Sequence, residues 1–272
     1  LPRATATNAI KELEAKLGAR LLERTTRQVR ATPDGQAFYE RIVRVLAELD
    51  EAQSALSSTR DNPRGSLRVN MHGTVATDIV LPRIGEFHQR YPHIELVLTS
   101  ADRLIDLISE GVDCVIRGGE LADSSLVARR LAVMPEVTCA SPGYLGRFGT
   151  PRHPEELAQH RAVNYFHPGA ERSYPFTYLV DGKLTEIGVP GWISVDHAET
   201  YVAAAEQGCG LIQLPRYHVE RQLREGRLVE VLADWPSTGL PVSLLYHRHR
   251  VLSRRVRVFA DWCAQVFAER FP

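Results

Sequence analysis

Seven side chains in this sequence are candidates for a small-ligand site: Thr74, Ser100, Arg117, Phe166, His167, Asp196 and His197. Thr74, Ser100 and Arg117 offer two hydroxyls and a permanent cation, each near the point where an apolar run gives way to a loop. A carboxylate is satisfied by such donors and by the positive end of a following helix. Routine helix capping and an ion pair account for the same residue types equally well. The second set, Phe166, His167, Asp196 and His197, follows two later apolar runs and adds an apolar wall and imidazoles, with local capping again open. His247-Arg248-His249 places two imidazoles two residues apart, yet its arginine-rich surroundings suit a solvated surface. Neither a metal nor a cofactor is expected. No G-x-S-x-G elbow, G-x-x-x-x-G-K loop or H-E-x-x-H pair occurs, so no catalytic residue is assigned and an enzyme is not expected.

A different chemistry sits at the start of the chain. Residues 1 to 30 carry seven basic side chains against three acidic ones, although the whole chain of 272 residues has a formal charge of zero. An anionic partner for that end follows. Ala4 to Leu17 reads as a helix with Ala6, Ile10, Leu13 and Leu17 on one face and Gly18 at its C-cap. Its other face shows Arg3, Thr5, Thr7, Asn8 and Lys11, short polar groups able to reach base edges beside cations able to hold phosphates. Arg20 to Glu23 and Gln28 to Ala31 read as two extended pieces around Arg24-Thr25-Thr26-Arg27, a tip suited to a DNA backbone or minor groove. A solvated basic helix and hairpin explains the composition alone equally well.

These groups need elements to position them. Thr32 to Ser58 reads as one long helix whose apolar residues Phe38, Ile42, Val45, Leu49, Ala52 and Leu56 are spaced alternately four and three apart. That heptad seam is narrow and calls for a partner helix, while an amphipathic helix packed on its own domain is the competing reading. Thr32 caps the start, Pro33 suits the first turn and Asp34 complements the helix dipole. Arg60 to Gly65 then reads as a hinge. Beyond Ser66 strands and helices alternate: strands at Leu67 to Met71, Glu95 to Thr99 and Val112 to Ile116, and helices at Pro82 to Tyr91 and over Leu104 to Ile108. This order implies a mainly parallel sheet covered on both faces, with ligands held beyond the carboxyl ends of the strands. A second unit has strands at Ala162 to Phe166, Trp192 to Val195 and Leu211 to Leu214, a hairpin around Asp181-Gly182 and a helix from Glu199 to Ala205. The last helix, Ser253 to Arg270, buries Val256, Phe259, Ala260, Cys263, Val266 and Phe267.

Composition fits two soluble domains, with 44% hydrophobic and 24% charged residues and no apolar run approaching the roughly 18 residues of a membrane helix. The four cysteines, Cys114, Cys139, Cys209 and Cys263, lie far apart in apolar runs, which suits buried reduced thiols in a cytoplasm.

Several motifs in order carry a family resemblance. Ala9-Ile10 with Leu13-Glu14, Leu17-Gly18, Leu21-Leu22, Arg24-Thr25-Thr26-Arg27 and Thr32-Pro33-Asp34-Gly35 resemble the recognition helix, wing and linker start of LysR-type transcriptional regulators. The resemblance continues through Leu81-Pro82, Glu110-Gly111-Val112-Asp113, Ser141-Pro142-Gly143-Tyr144-Leu145 and Gly208-Cys209-Gly210. The stretch from Arg117 to Leu126 is similar to the subgroup that regulates aromatic-acid and dicarboxylate metabolism. Pro2 and Thr7 stand near positions where the family usually has serine, and Asn8 where it often has arginine, so base preference stays open.

The resemblance implies an α/β protein: a partial winged helix-turn-helix and linker helix, then a two-lobed effector domain like type 2 periplasmic binding proteins. On that resemblance the head is expected to span residues 1–31 and to start within the helix-turn-helix, truncated at its N-terminus. The dimerising helix spans 32–58, the hinge 59–65 and the effector domain 66–272. Lobe 1 comprises 66–141 and 247–272, and lobe 2 comprises 142–246. The implied partners are double-stranded promoter DNA, a small organic acid between the lobes, and further copies of the chain: a homodimer through the linker helix and a homotetramer, in the cytoplasm and away from membranes. A solute-binding protein of the type 2 periplasmic class would share the lobes without binding DNA.

Overall fold

The computed structural model describes residues 3–24, 29–39, 41–42, 45, 63–100, 111–119, 126–166, 173–247 and 253–272. The chain divides into two compact units, residues 1–62 with 106–112 and residues 63–105 with 113–272.

In the first unit, α1 (Arg3–Leu17) is closed by Gly18, whose φ of 66° makes it a left-handed cap and whose N–H donates to Glu14 O at 2.9 Å. The Glu14 side chain does further work. Its Oε1 accepts the backbone N–H groups of Leu21 and Leu22 at 2.8 and 3.0 Å, tying the helix to β1 (Leu22–Arg24). β1 pairs antiparallel with β2 (Val29–Ala31), Leu22 opposite Ala31, as the two extended pieces predict. Thr32 Oγ1 donates to Arg20 O at 2.6 Å and accepts from Gly35 N at 2.9 Å, capping the helical stretch 33–39. Gly35 is required there, since a Cβ would lie 1.9 Å from Leu21 O.

The second unit holds two lobes. Lobe 1 is a five-stranded sheet built on β3 (Gly65–Met71), where Leu67, Val69 and Met71 are wholly buried and Arg68 faces solvent. β3 runs parallel to β4 (Ile94–Ser100) and to β5 (Cys114–Gly118). The sheet is mixed, however, because β14 (Leu240–His247) lies antiparallel between β5 and β6 (Leu126–Met134). A helical run from Gly73 through Arg83 leads into α2 (Ile84–Arg90) on one face. The last helix, here α6 (Arg254–Arg270), starts from a Ser253 cap whose Oγ accepts Val256 N at 3.3 Å. Its residues Val256, Phe259, Ala260, Cys263, Val266 and Phe267 are buried, as their helical spacing predicts, in one core with Met71, Phe87 and Leu244. Burying a side chain such as Phe259 contributes about 1.5 to 3 kcal/mol.

Lobe 2 centres on β7 (Glu136–Ala140), antiparallel to both β12 (Ile212–Pro215) and β13 (Val229–Val231). β8 (Val163–Tyr165) pairs parallel with β11 (Ile193–Val195), and an Ala162–Leu211 bridge joins this pair to the edge of β12. Gly210 permits that junction: a Cβ on it would lie 2.7 Å from the Arg161 carbonyl oxygen. β9 (Phe176–Val180) and β10 (Lys183–Ile187) form the hairpin expected around Asp181-Gly182. The helices are α3 (Pro142–Phe148), α4 (Ala198–Glu206) and the short α5 (Glu220–Arg224).

The crossovers correct the lobe boundaries expected from sequence. β7 hydrogen-bonds within lobe 2 and β14 within lobe 1, so the chain crosses at Pro135 and over residues 232–239 rather than at 141/142 and 246/247. Ser237 Oγ donates to Glu136 Oε2 at 2.9 Å, stapling one crossover to the other.

Candidate effector and DNA sites

The two lobes meet around a buried threonine. Thr74 follows the carboxyl end of β3, in the first turn of the helical run, and its Oγ1 lies 2.8 Å from His72 Nδ1 and 3.0 Å from the Tyr217 hydroxyl. Tyr217 belongs to the loop after β12 in lobe 2, yet its ring is buried in the lobe 1 core. The Thr74 hydroxyl therefore bridges the lobes. Neither routine capping nor solvation describes it.

Three imidazoles surround this bridge. The His72 ring lies 6.5 Å from His197, roughly parallel, and 6.0 Å from His218, edge to face. His218 stacks on Tyr217 at 4.1 Å. Loss of water, then the neighbouring His72, pushes the His218 pKa down to about 3, so this ring is neutral at physiological pH. Burial, with the Asp78 and Glu199 carboxylates adding to it, raises the Tyr217 pKa although Thr74 opposes the shift.

The other residues expected from sequence take varied positions. Arg117 lies inside β5, not in the loop beyond it, and its Nη2 donates to Asn70 Oδ1 at 2.6 Å. Asn70, itself buried, donates from Nδ2 to Thr99 Oγ1 at 2.8 Å. Ser100 ends β4, is exposed, and pairs in register with Met71; by strand alternation it is Thr99 that shares a face with Asn70 and Arg117. Phe166 is half-buried, its N–H on Val195 O at 3.0 Å, and the Asp196 carbonyl accepts from the Tyr165 hydroxyl at 3.2 Å. His197 precedes α4 without capping it, and its Nδ1 pairs with Glu199 Oε2 at 2.7 Å. His167 lies outside the described residues.

Sequence reasoning missed Asn70, His72, Thr99, Tyr217 and His218. Each stands at or just past a strand end that it had placed, β3, β4 or β12, and that position was the available signal. A surface hollow of about 530 Å³ beside Ser141, Gly143 and Arg227 offers little chemistry because Arg227 is paired with Glu206 and Glu225.

In the first unit, Thr5, Asn8 and Lys11 are exposed on α1 and Thr7 is half-buried. Arg3 and Arg24 fall in described elements, while Thr25, Thr26 and Arg27 lie outside the described residues. Phe38 is half-buried, and Ile42 and Val45 are 37% and 52% exposed; Leu49, Ala52 and Leu56 lie outside the described residues.

Comparison with known proteins decides the family. Residues 60–268 match the LysR substrate binding domain, and residues 1–36 match the bacterial regulatory helix-turn-helix of the lysR family. The chain belongs to the LysR-type transcriptional regulators. YhjC of Escherichia coli K12, an uncharacterized HTH-type transcriptional regulator, is 39% identical, the match covering 99% of this chain and 90% of YhjC. The solved structure of CrgA from Neisseria meningitidis is 33% identical with a TM-score of 0.64, covering 97% of this chain and 89% of CrgA. That of AphB, a Vibrio cholerae virulence activator, is 27% identical with a TM-score of 0.65, covering 97% of this chain and 90% of AphB. As a LysR-type regulator the protein binds DNA through its helix-turn-helix and carries an effector-binding domain, so the DNA-free solute-binding alternative falls.

Proposed function

We propose that this LysR-type regulator responds to a small organic acid, an aromatic acid or a dicarboxylate, bound where the lobes meet, and that binding alters how its copies engage promoter DNA. The observation that carries the reading is the Thr74 bridge, which joins residues of both lobes through one hydroxyl. An acid seated there touches lobe 1 through Thr74 and Arg117, with Thr99 rather than Ser100 on their face of the sheet, and lobe 2 through Phe166, His167, Asp196 and His197. A ligand shifts an equilibrium only by its differential affinity for two states, and contacts from both lobes make affinity depend on lobe closure.

The DNA contacts we assign are Thr5, Thr7 and Asn8 to bases, and Arg3, Lys11, Arg24, Thr25, Thr26 and Arg27 to the backbone or minor groove. The copies pair through the seam of Phe38, Ile42, Val45, Leu49, Ala52 and Leu56, and two pairs make a tetramer. The exposure of Ile42 and Val45 supports the seam, since a partner helix would cover them. The protein acts in the cytoplasm, where promoter DNA is, and catalyses no reaction.

Footprinting on the DNA flanking its own gene, with and without an acid that raises the melting temperature, tests the reading. The protected region should change in length or register with the acid. A stabilising acid that leaves the footprint unaltered would separate ligand binding from regulation.

A further inference from the structure

Building on the acid-effector reading above, we propose that the site takes a monocarboxylic acid with a hydroxyl at its far end, and discriminates against dicarboxylates. The two ends of the site differ in charge. Arg117 is a permanent cation whose guanidinium is aimed by Asn70 and, through Asn70, by Thr99. The β3–β5 register ends with Met71 opposite Ile116, so His72 and Arg117 are the next residue along on each side, on the face that Asn70 occupies. A carboxylate held by Arg117 thus directs the rest of its molecule toward the imidazoles.

That far end contains no fixed cation among the described residues. His72, His218 and Tyr217 supply rings, and Thr74 supplies a hydroxyl already shared between His72 and Tyr217. The fixed charges bearing on Tyr217 are the carboxylates of Asp78 and Glu199, the first bonded by Thr77 Oγ1 at 2.8 Å and the second paired with His197 at 2.7 Å. A second carboxylate would lose its water beside the neutral His218 ring and two like charges, which is costly. A hydroxyl meets the opposite reception. A neutral imidazole always keeps one ring nitrogen as an acceptor, and the held-down pKa of His218 keeps that acceptor in place at neutral pH. Among the described residues, neither His218 nitrogen makes a hydrogen bond.

Matched ring acids test this. Calorimetry on the full chain at pH 7.5 compares benzoate with 3- and 4-hydroxybenzoate, and these with isophthalate and terephthalate, which carry a carboxylate where the hydroxyl was. One hydroxybenzoate should bind about tenfold or more tighter than benzoate, and both dicarboxylates should bind more weakly than benzoate. His218→Phe keeps a ring without an acceptor, and His218→Asn keeps an acceptor without an imidazole. In a folded His218→Phe protein the hydroxyl's advantage should vanish, while His218→Asn should retain part of it. Equal affinity for benzoate and both hydroxybenzoates, or tighter binding of a dicarboxylate, overturns the inference and leaves the acid effector standing. Failure of all five acids to bind overturns both.

Discussion

Replacing Thr74 by valine preserves side-chain shape and deletes the hydroxyl that bridges the lobes. The parent hydroxyl serves His72 Nδ1 at 2.8 Å and Tyr217 Oη at 3.0 Å, and Tyr217 is only 9% exposed. The variant therefore leaves a phenol group without its partner in a nearly dry place, a loss of about 1 to 3 kcal/mol. Tyr217→Phe alone removes the phenol while Thr74 keeps His72, so it should cost less, about 1 kcal/mol. The double variant removes both partners together. Its cost should fall short of the sum of the two single changes by about 1 kcal/mol, the coupling energy of one buried hydrogen bond. Denaturant titrations of the parent, both single variants and the double variant at pH 7.5 complete the cycle. Additive losses would mean that the two groups do not interact in solution, and the bridge between lobes would be refuted. With an acid bound, the same Thr74→Val change should lower affinity by about 1 to 2 kcal/mol.

Three further outcomes follow from the geometry. His218 is held neutral in the folded protein with a pKa near 3 against 6.5 when unfolded, so the unfolded chain takes up a proton first as pH falls. Its contribution is intact above pH 6.5 and declines by about 1.4 kcal/mol per unit below it, and a flatter pH profile in His218→Phe would confirm the source, whereas an identical profile would exclude it. Gly35→Ala should drive a methyl into Leu21 O, 1.9 Å from the ideal Cβ position, so DNA binding should be lost while the melting of the effector-binding unit is unchanged; full DNA affinity in this variant would contradict the packing. Leu49→Asp should dissociate dimers by burying an unpaired charge in the seam, at several kcal/mol; sedimentation that finds the variant as dimeric as the parent would move the interface elsewhere.

The elements legible in the sequence were those with a local pattern. Alternation in Leu67-Arg68-Val69-Asn70-Met71 and the helical spacing from Val256 to Phe267 each describe one buried face, and both elements form where the pattern puts them. β6 and β14 went unseen. Their order depends on pairing with each other across more than a hundred residues, and β6 mixes Arg129 and Arg130 into its apolar run. Without them the sheet reads as parallel and the crossovers shift by several residues. The site was half legible for a related reason. Thr74 and His197 stood at recognisable strand ends, but nothing local reveals that Tyr217 reaches from lobe 2 into the lobe 1 core, carrying His218 against His72. Long-range packing selected those partners.

The central claim, a regulator that reads promoter DNA through its helix-turn-helix, is tested most directly by anisotropy titrations on the flanking promoter fragment and on scrambled DNA across a salt series. The promoter should bind at least about a thousandfold tighter than the scrambled fragment, and Lys11→Ala should reduce the log-log salt slope by about one unit on both. Equal affinity for the two fragments, or a slope that Lys11→Ala leaves unchanged, would contradict the account of how this head recognises DNA.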